Sequence, residues 1–367
     1  MPRLRRLALA AACIGLAAPG CGRPAAPPVA AAGPFDVVHL GRGAYAVLRR
    51  EPPAFLFESN GGFVVGDRDV LVVDAQFTMA HTREVIAAIR RVTRLPVRTV
   101  VVTHAHDDHV SGLQVYRDSF PDVEIVAHAA TRDDLAGGYQ ARRLELVDNL
   151  TAGTARYRTL LETGRTRDGR ALDDEERASF TALVALADAY LADAPSYRPT
   201  PPTRTFDGDS LVLQRAGRTV VLRHLGRAHT AGDVVVHLPA DGIVYAGDLA
   251  AWPVPLVGTT SFPADYAAAL GRLRALRPRV LVGGHGPVMR DDAYVARVQA
   301  LLEAVQARTA AAVARGETVE QAQRSVDLSD FRRAFAGRSR VRGALFDAYV
   351  AGPAVARAHA QATAPAR

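Results

Sequence analysis

Residues 35–128 alternate short apolar runs with turn residues. Segments 35–40 and 43–48 place apolar and polar residues in alternation, the period of a half-buried strand. Pro52 and Pro53 break that pattern, and segments 55–58, 62–65 and 70–73 continue a meander of strands. Ser59-Asn60-Gly61-Gly62 and Gly66-Asp67 supply the turns. The period then changes. Over 81–91, Val85, Ile86 and Ile89 fall on one face of a helix. A mostly apolar run, 97–102, predicts a buried strand; a short helix over 110–120 and a strand over 123–127 follow.

Residues 138–200 return to helical spacing. Leu144, Leu146, Val147 and Leu150 form one stripe, and Phe180, Leu183, Val184, Leu186, Ala187, Tyr190 and Leu191 form another. The acidic run Asp173-Asp174-Glu175-Glu176 favours a helix N-terminus, where it meets the positive end of the helix dipole. This predicts a helical insertion of two main helices, closed by Pro195, Pro199, Pro201 and Pro202, that serves either as a cover over a cleft or as an oligomer surface. Strands are expected again over 203–206, 210–214, 219–224, 233–238, 242–245 and 280–282, and helices over 294–313 and 331–349. The Ala-rich residues after Gly352-Pro353 read as a frayed tail. The organisation is a leader over 1–20, a tether over 21–34, a domain over 35–290 with its insertion at 138–200, C-terminal helices over 291–351 and a tail over 352–367.

Composition narrows this picture. A chain of 367 residues, 49% hydrophobic and 23% charged, is globular in character. The net charge of +7 includes four arginines ahead of residue 35, so the folded part carries only a small positive balance and no nucleic-acid partner is expected. There is no lysine, which excludes a lysine nucleophile or Schiff base. The only cysteines, Cys13 and Cys21, lie ahead of the domain, which excludes a disulfide, a thiolate nucleophile or a cysteine metal ligand within it. Residues 1–20 pair a basic start with an apolar run too short for a comfortable membrane span, the pattern of an export signal. Ala18-Pro19-Gly20-Cys21 is similar to a bacterial lipoprotein processing site, with Cys21 the lipidated residue; ordinary cleavage near Ala30-Ala31-Ala32 is the alternative. The expectation is an exported, periplasmic protein whose only membrane contact is this lipid anchor.

The chemistry concentrates in His104-Ala105-His106-Asp107-Asp108-His109, directly after the predicted strand 97–102. Imidazole and carboxylate side chains suit zinc, and three protein ligands plus water make a catalytic zinc site. At this spacing His104 and His106 can converge on one metal while Asp108 and His109 face a second. Two such metals about 3.5–4 Å apart form a hydrolytic arrangement. A solvated polar loop is the competing reading.

This His-x-His-x-Asp-His stretch resembles the signature of the metallo-β-lactamase superfamily, and further family motifs recur in order along residues 36–290. Gly226-Arg227-Ala228-His229-Thr230-Ala231-Gly232 is similar to the family's Gly-x-x-His-Thr-x-Gly segment, Asp248 to its bridging carboxylate, and His285 to its last ligand. The resemblance implies an α/β fold, an αββα sandwich of two mixed sheets flanked by helices. It implies two zinc ions, with iron or manganese as alternatives. One would be held by His104, His106 and His229, the other by Asp108, His109 and His285, with Asp248 between them. It implies that Asp74 hydrogen-bonds within the metal-binding loop, against the simpler role of capping the next segment. It implies a hydroxide between the metals as nucleophile, with Asp108 also acting catalytically by orienting it or passing a proton.

A bridging Asp248 is nearer the glyoxalase II and lactonase-like branches than the β-lactamases with a cysteine ligand. The basic substrate-binding residues of glyoxalase II have no match after Asp248. The expected function is hydrolysis of a small-molecule ester, lactone, thioester or amide. The alternatives are a β-lactam hydrolase, a one-iron enzyme like the persulfide dioxygenases and, last, a non-catalytic binding protein. Trp252 and Tyr139 are candidate pocket aromatics, and His39, His81, His128, His224, His237 and His359 are expected to be structural or at the surface.

Overall fold

The computed structural model describes residues 30–50, 52–55, 58–215 and 217–364, with residues 30–32 described in backbone only. The leader, Cys21 and most of the expected tether lie outside the described residues. The chain runs β1 (Ala30–Ala32), β2 (Phe35–Gly41), β3 (Ala44–Arg49), β4 (Gly61–Val65), β5 (Val70–Val73), α1 (Met79–Val92) and β6 (Val97–Val101). It continues through α2 (Asp107–Val110), α3 (Leu113–Ser119), β7 (Glu124–His128), α4 (Ala129–Ala136), α5 (Tyr139–Thr163), α6 (Asp174–Asp193) and β8 (Arg204–Phe206). Then come β9 (Ser210–Arg215), β10 (Arg218–Arg223), β11 (Val235–Leu238), β12 (Ile243–Ala251), α7 (Pro263–Ala275) and β13 (Val280–His285). Helices α8 (Ala293–Ala314), α9 (Val319–Ser325), α10 (Ser329–Ala336), α11 (Arg340–Phe346) and α12 (Gly352–Thr363) close it.

Strands β1 to β8 form one sheet in chain order, and the second sheet is ordered β13-β12-β11-β10-β9. Both are mixed. The first is antiparallel from β1 to β5 and parallel from β5 to β8; the second is parallel only between β12 and β13. Each strand pair joined in parallel is connected by helices, as a crossover requires. Every residue of β5 and β13 is buried, the pattern of strands covered on both faces. Alternate strand residues point into three apolar layers. Ala46, Val64, Leu71, Val101, Val220, Val236 and Val282 fill the space between the sheets. Val72, Val100 and Ile125 face α1 and α3, where Val85, Ile89 and Leu113 meet them. Val244 and Leu281 face α7, α8 and α12. This is the αββα sandwich.

Several elements differ from their sequence expectations. Phe55 and Glu58 lie outside strands. Glu58 is buried and accepts from the Ser59 and Phe77 amides, and the two residues between it and Phe55 lie outside the described residues. The last residues of the expected tether pair in β1 against β2. The expected helix over 331–349 is broken, because Gly337 adopts φ +57° at the end of α10. The Ala-rich tail forms α12, whose Ala354, Val355 and Ala358 sit on one buried face; alanine is the best helix former, and here that helix has a core to cover. No helix among the described residues is long and apolar enough to cross a membrane.

Phe346 is fully buried in the layer shared by α8, α11 and α12. Phe346→Ala should therefore lower unfolding free energy by about 3–5 kcal/mol, measured by urea denaturation.

Candidate metal centre

The centre forms where strand ends of both sheets meet. The first sheet delivers His104 and His106 on the loop after β6, and α2 turns Asp108 and His109 back toward them. The second delivers His229 between β10 and β11, Asp248 within β12 and His285 at the end of β13. His104, His109, His229, Asp248 and His285 are buried. His106 Nδ1 lies 3.2 Å from His104 Nε2 and 2.8 Å from His229 Nε2. His285 Nε2 lies 3.2 Å from Asp108 Oδ2, and His109 Nε2 3.3 Å from the same oxygen.

Asp248 stands between the two groups and divides its oxygens. Oδ2 faces His229 Nε2 at 3.5 Å and His104 Nε2 at 4.0 Å, whereas Oδ1 faces His109 and His285 Nε2, each at 3.3 Å. His104, His106, His229 and Asp248 can hold one ion, and Asp108, His109 and His285 a second; within each set the donor atoms lie within 4.8 Å of one another.

The outer ring nitrogens are committed elsewhere, which aims the inner ones. His109 Nδ1 meets Asp74 Oδ2 at 2.8 Å, His229 Nδ1 meets the Leu256 carbonyl at 2.7 Å, and His104 Nδ1 meets Thr103 Oγ1 at 3.1 Å. Asp74 does more than orient His109. It adopts φ +63° at the end of β5, and it accepts from the Thr103 amide at 2.7 Å and the Thr103 hydroxyl at 2.8 Å. Asp233 closes the His229 loop by accepting from the Thr230 amide and hydroxyl, both at 2.8 Å. Gly284 is needed for the close approach of β13 to β12, since a Cβ there would stand 2.0 Å from Asp248 Oδ1.

The electrostatics suit a cation. Burial lowers His104 well below the ordinary histidine range and His106 to about 3, which leaves neutral imidazoles, the metal-binding form. Burial opposes the charge on Asp108 and Asp248, but the neighbouring histidines outweigh it and hold both carboxyls well below their usual range. Burial also works against protonated His109 and His285, yet the surrounding carboxylates pull both up, His285 to about 9. His109 Nε2 and Asp248 Oδ1 are buried without a hydrogen bond among the described residues. Buried polar atoms in that condition are costly unless something else engages them. The donor set thus fits divalent metal ions.

Comparison with known proteins agrees. The family model described as the metallo-beta-lactamase superfamily matches residues 55–285. The chain belongs to that superfamily. A linear primary-alkylsulfatase from Pseudomonas sp. (strain ATCC 19151) is 27% identical over 223 residues, covering 59% of this chain and 39% of the alkylsulfatase. The chain therefore spans well under half the length of that curated relative. Among solved structures, a metallo-beta-lactamase from Pontibacter korlensis is similar at 18% identity and TM-score 0.49, covering 73% of this chain and 99% of its own. The DIM-1 metallo-beta-lactamase is similar at 16% identity and TM-score 0.49, covering 73% of this chain and 97% of its own.

The structure brings together all seven residues expected as ligands, with Asp74 directly behind them. Trp252 lies in a separate cavity beside His285, and Tyr139 is buried against Asp107. His81 is half-buried and pairs with Glu58. His128 caps α4 and stacks on His224, apart from the centre. Sequence reasoning gave Asp107 no role. Its Oδ1 accepts from the hydroxyls of Tyr139 at 3.1 Å and Tyr190 at 2.7 Å, one from each main insertion helix. Only an acidic residue between two ligands hinted at this, and its partners lie 32 and 83 residues away.

Asp74→Asn keeps the left-handed backbone accessible but weakens the hold on Thr103 and His109. Metal affinity should fall about 10–100-fold with far-UV circular dichroism unchanged, measured by competition against a chromogenic chelator.

Proposed function

We propose that this chain is an exported hydrolase that works with two divalent metal ions, zinc in the first place, on an ester-type substrate. The observation that carries the reading is Asp248, one buried carboxylate whose two oxygens face two separate histidine groups. Bound metals would supply Lewis acidity and lower the pKa of a coordinated water to about 7. His104, His106 and His229 would hold one ion, and Asp108, His109 and His285 the other, with Asp248 serving both.

The rest is done by this chain's own groups. Asp74, the Leu256 carbonyl and Thr103 keep the imidazole rings oriented. Asp108 is the least buried of the carboxylates at the centre, with its side chain 15% exposed, and it lines the open cleft. It is therefore placed to orient water and to pass a proton toward a leaving group. Thr260 Oγ1, 3.2 Å from His106 Nε2, fixes the most accessible imidazole. Carboxylic esters, lactones, thioesters and amides all suit this chemistry. The alkylsulfatase relative adds sulfate esters, and the superfamily adds β-lactams.

Asp108→Ala should reduce ester hydrolysis by at least about a hundredfold while the thermal unfolding transition is retained. Full activity in that variant would sink the two-metal reading. Dialysis of the wild-type protein against chelator should abolish turnover, and zinc added back should restore it.

A further inference from the structure

One cleft of about 330 Å³ opens onto Asp108 and Asp248, within the size range of small-molecule sites. Its walls away from the metal centre are mostly apolar, with Arg142 and Thr259 as the polar members. Phe55 and Phe77 come from the segments before β4 and after β5, Leu146 from α5, Leu256 from the segment after β12, and Tyr349 from the π-helical stretch Asp347–Ala351 between α11 and α12. Four remote parts of the sequence thus line one open cleft that reaches the donor residues.

The insertion is fastened there. Tyr139 of α5 and Tyr190 of α6 both donate to Asp107, which sits between the ligands His106 and Asp108. Phe77 stacks on Tyr190, with ring centroids 4.2 Å apart and planes 10° from parallel. The Met79 amide donates to Asp193 at the end of α6 at 2.6 Å. Leu146 lies on α5 beyond this anchor, so its place at the cleft is set by the same contacts that hold the metal loop. On the far wall, the Tyr349 hydroxyl donates to the Phe55 carbonyl at 2.6 Å.

A substrate whose scissile group reaches the metals must lay its remaining atoms along these walls. We propose that the cleft seats a linear apolar chain attached to the scissile group, and that the insertion and Tyr349 make the enzyme select esters by chain length. The reaction is hydrolysis: water is consumed, the ester bond to oxygen breaks, and the acid and alcohol are released. The inference rests on the hydrolase reading for the position of the scissile group, and the test separates the two.

The test uses the zinc-loaded full chain. Its substrates are p-nitrophenyl acetate, butyrate and octanoate, with chains on the acid side, and sodium butyl and octyl sulfate, with chains on the alcohol side. All are kept below their aggregation concentrations. In at least one series kcat/KM should rise about tenfold or more from the shortest to the longest chain, each buried methylene being worth up to about fourfold; which series responds tells which side of the ester enters the cleft. Leu146→Trp should lower the long-to-short ratio about tenfold by filling the cleft. Leu144→Trp, whose native side chain is 54% exposed on the same helix, should leave that ratio unchanged. Calorimetric binding of octanoate against butyrate gives a readout independent of turnover, with the longer acid bound about tenfold more tightly.

Measurable turnover with a flat ratio in both series overturns the chain-length proposal and leaves the hydrolase reading intact. Absent turnover, with chain-length-dependent binding that Leu146→Trp removes, overturns the hydrolase reading and supports the cleft assignment. Absence of both overturns both.

Discussion

Asp248 is the constraint around which the rest is arranged. A carboxylate buried between two histidine groups must have both oxygens engaged, because an unengaged buried charge is strongly disfavoured. Among the described residues Oδ1 makes no hydrogen bond, so a bound cation would complete the site, and the backbone around it is held closely. Tyr266 donates to the Asp248 carbonyl at 2.6 Å, Gly284 lets β13 come against β12, and the ends of the two sheets close to within hydrogen-bonding range of one another. The Asn60 amide donates to the Gly284 carbonyl at 2.6 Å, while its side chain donates to the Gly283 and Gly286 carbonyls. A loop of the first sheet is thereby stitched to the ligand strand of the second.

The sandwich follows from the same economy. Strands buried on both faces need helices outside and a partner sheet inside, and the three apolar layers supply both. The candidate metal centre sits at the edge where the sheets' ends meet, where six residues of loop and short helix carry four of the candidate ligands above buried strands. Insertion and C-terminal helices then add walls to that edge without altering the ligand framework.

Much of this was legible in the sequence because it is written locally. The candidate ligand cluster is six residues long, β2 and β3 show their alternation directly, β5, β6 and β13 read as apolar runs, and each further candidate ligand sits beside turn residues in a recognisable motif. What was not legible depends on partners distant in the chain. The Asp107 carboxylate looks like one more acidic loop residue until Tyr139 and Tyr190 are brought to it. The tail looks frayed until its alanines find the buried face beside α8, where small side chains are an advantage. Glu58 ends a segment of strand-like composition, yet its buried carboxylate accepts from the Ser59 and Phe77 amides and it lies outside both sheets. Nor does sequence periodicity show that Leu146 of the insertion lines the space before Asp108.

The most direct measurement is the metal content of the full chain by elemental mass spectrometry after purification without chelator. About two zinc ions per chain are expected if Asp248 serves two metals. About one iron per chain with little zinc would contradict the two-metal hydrolase and point to oxygen chemistry at this centre.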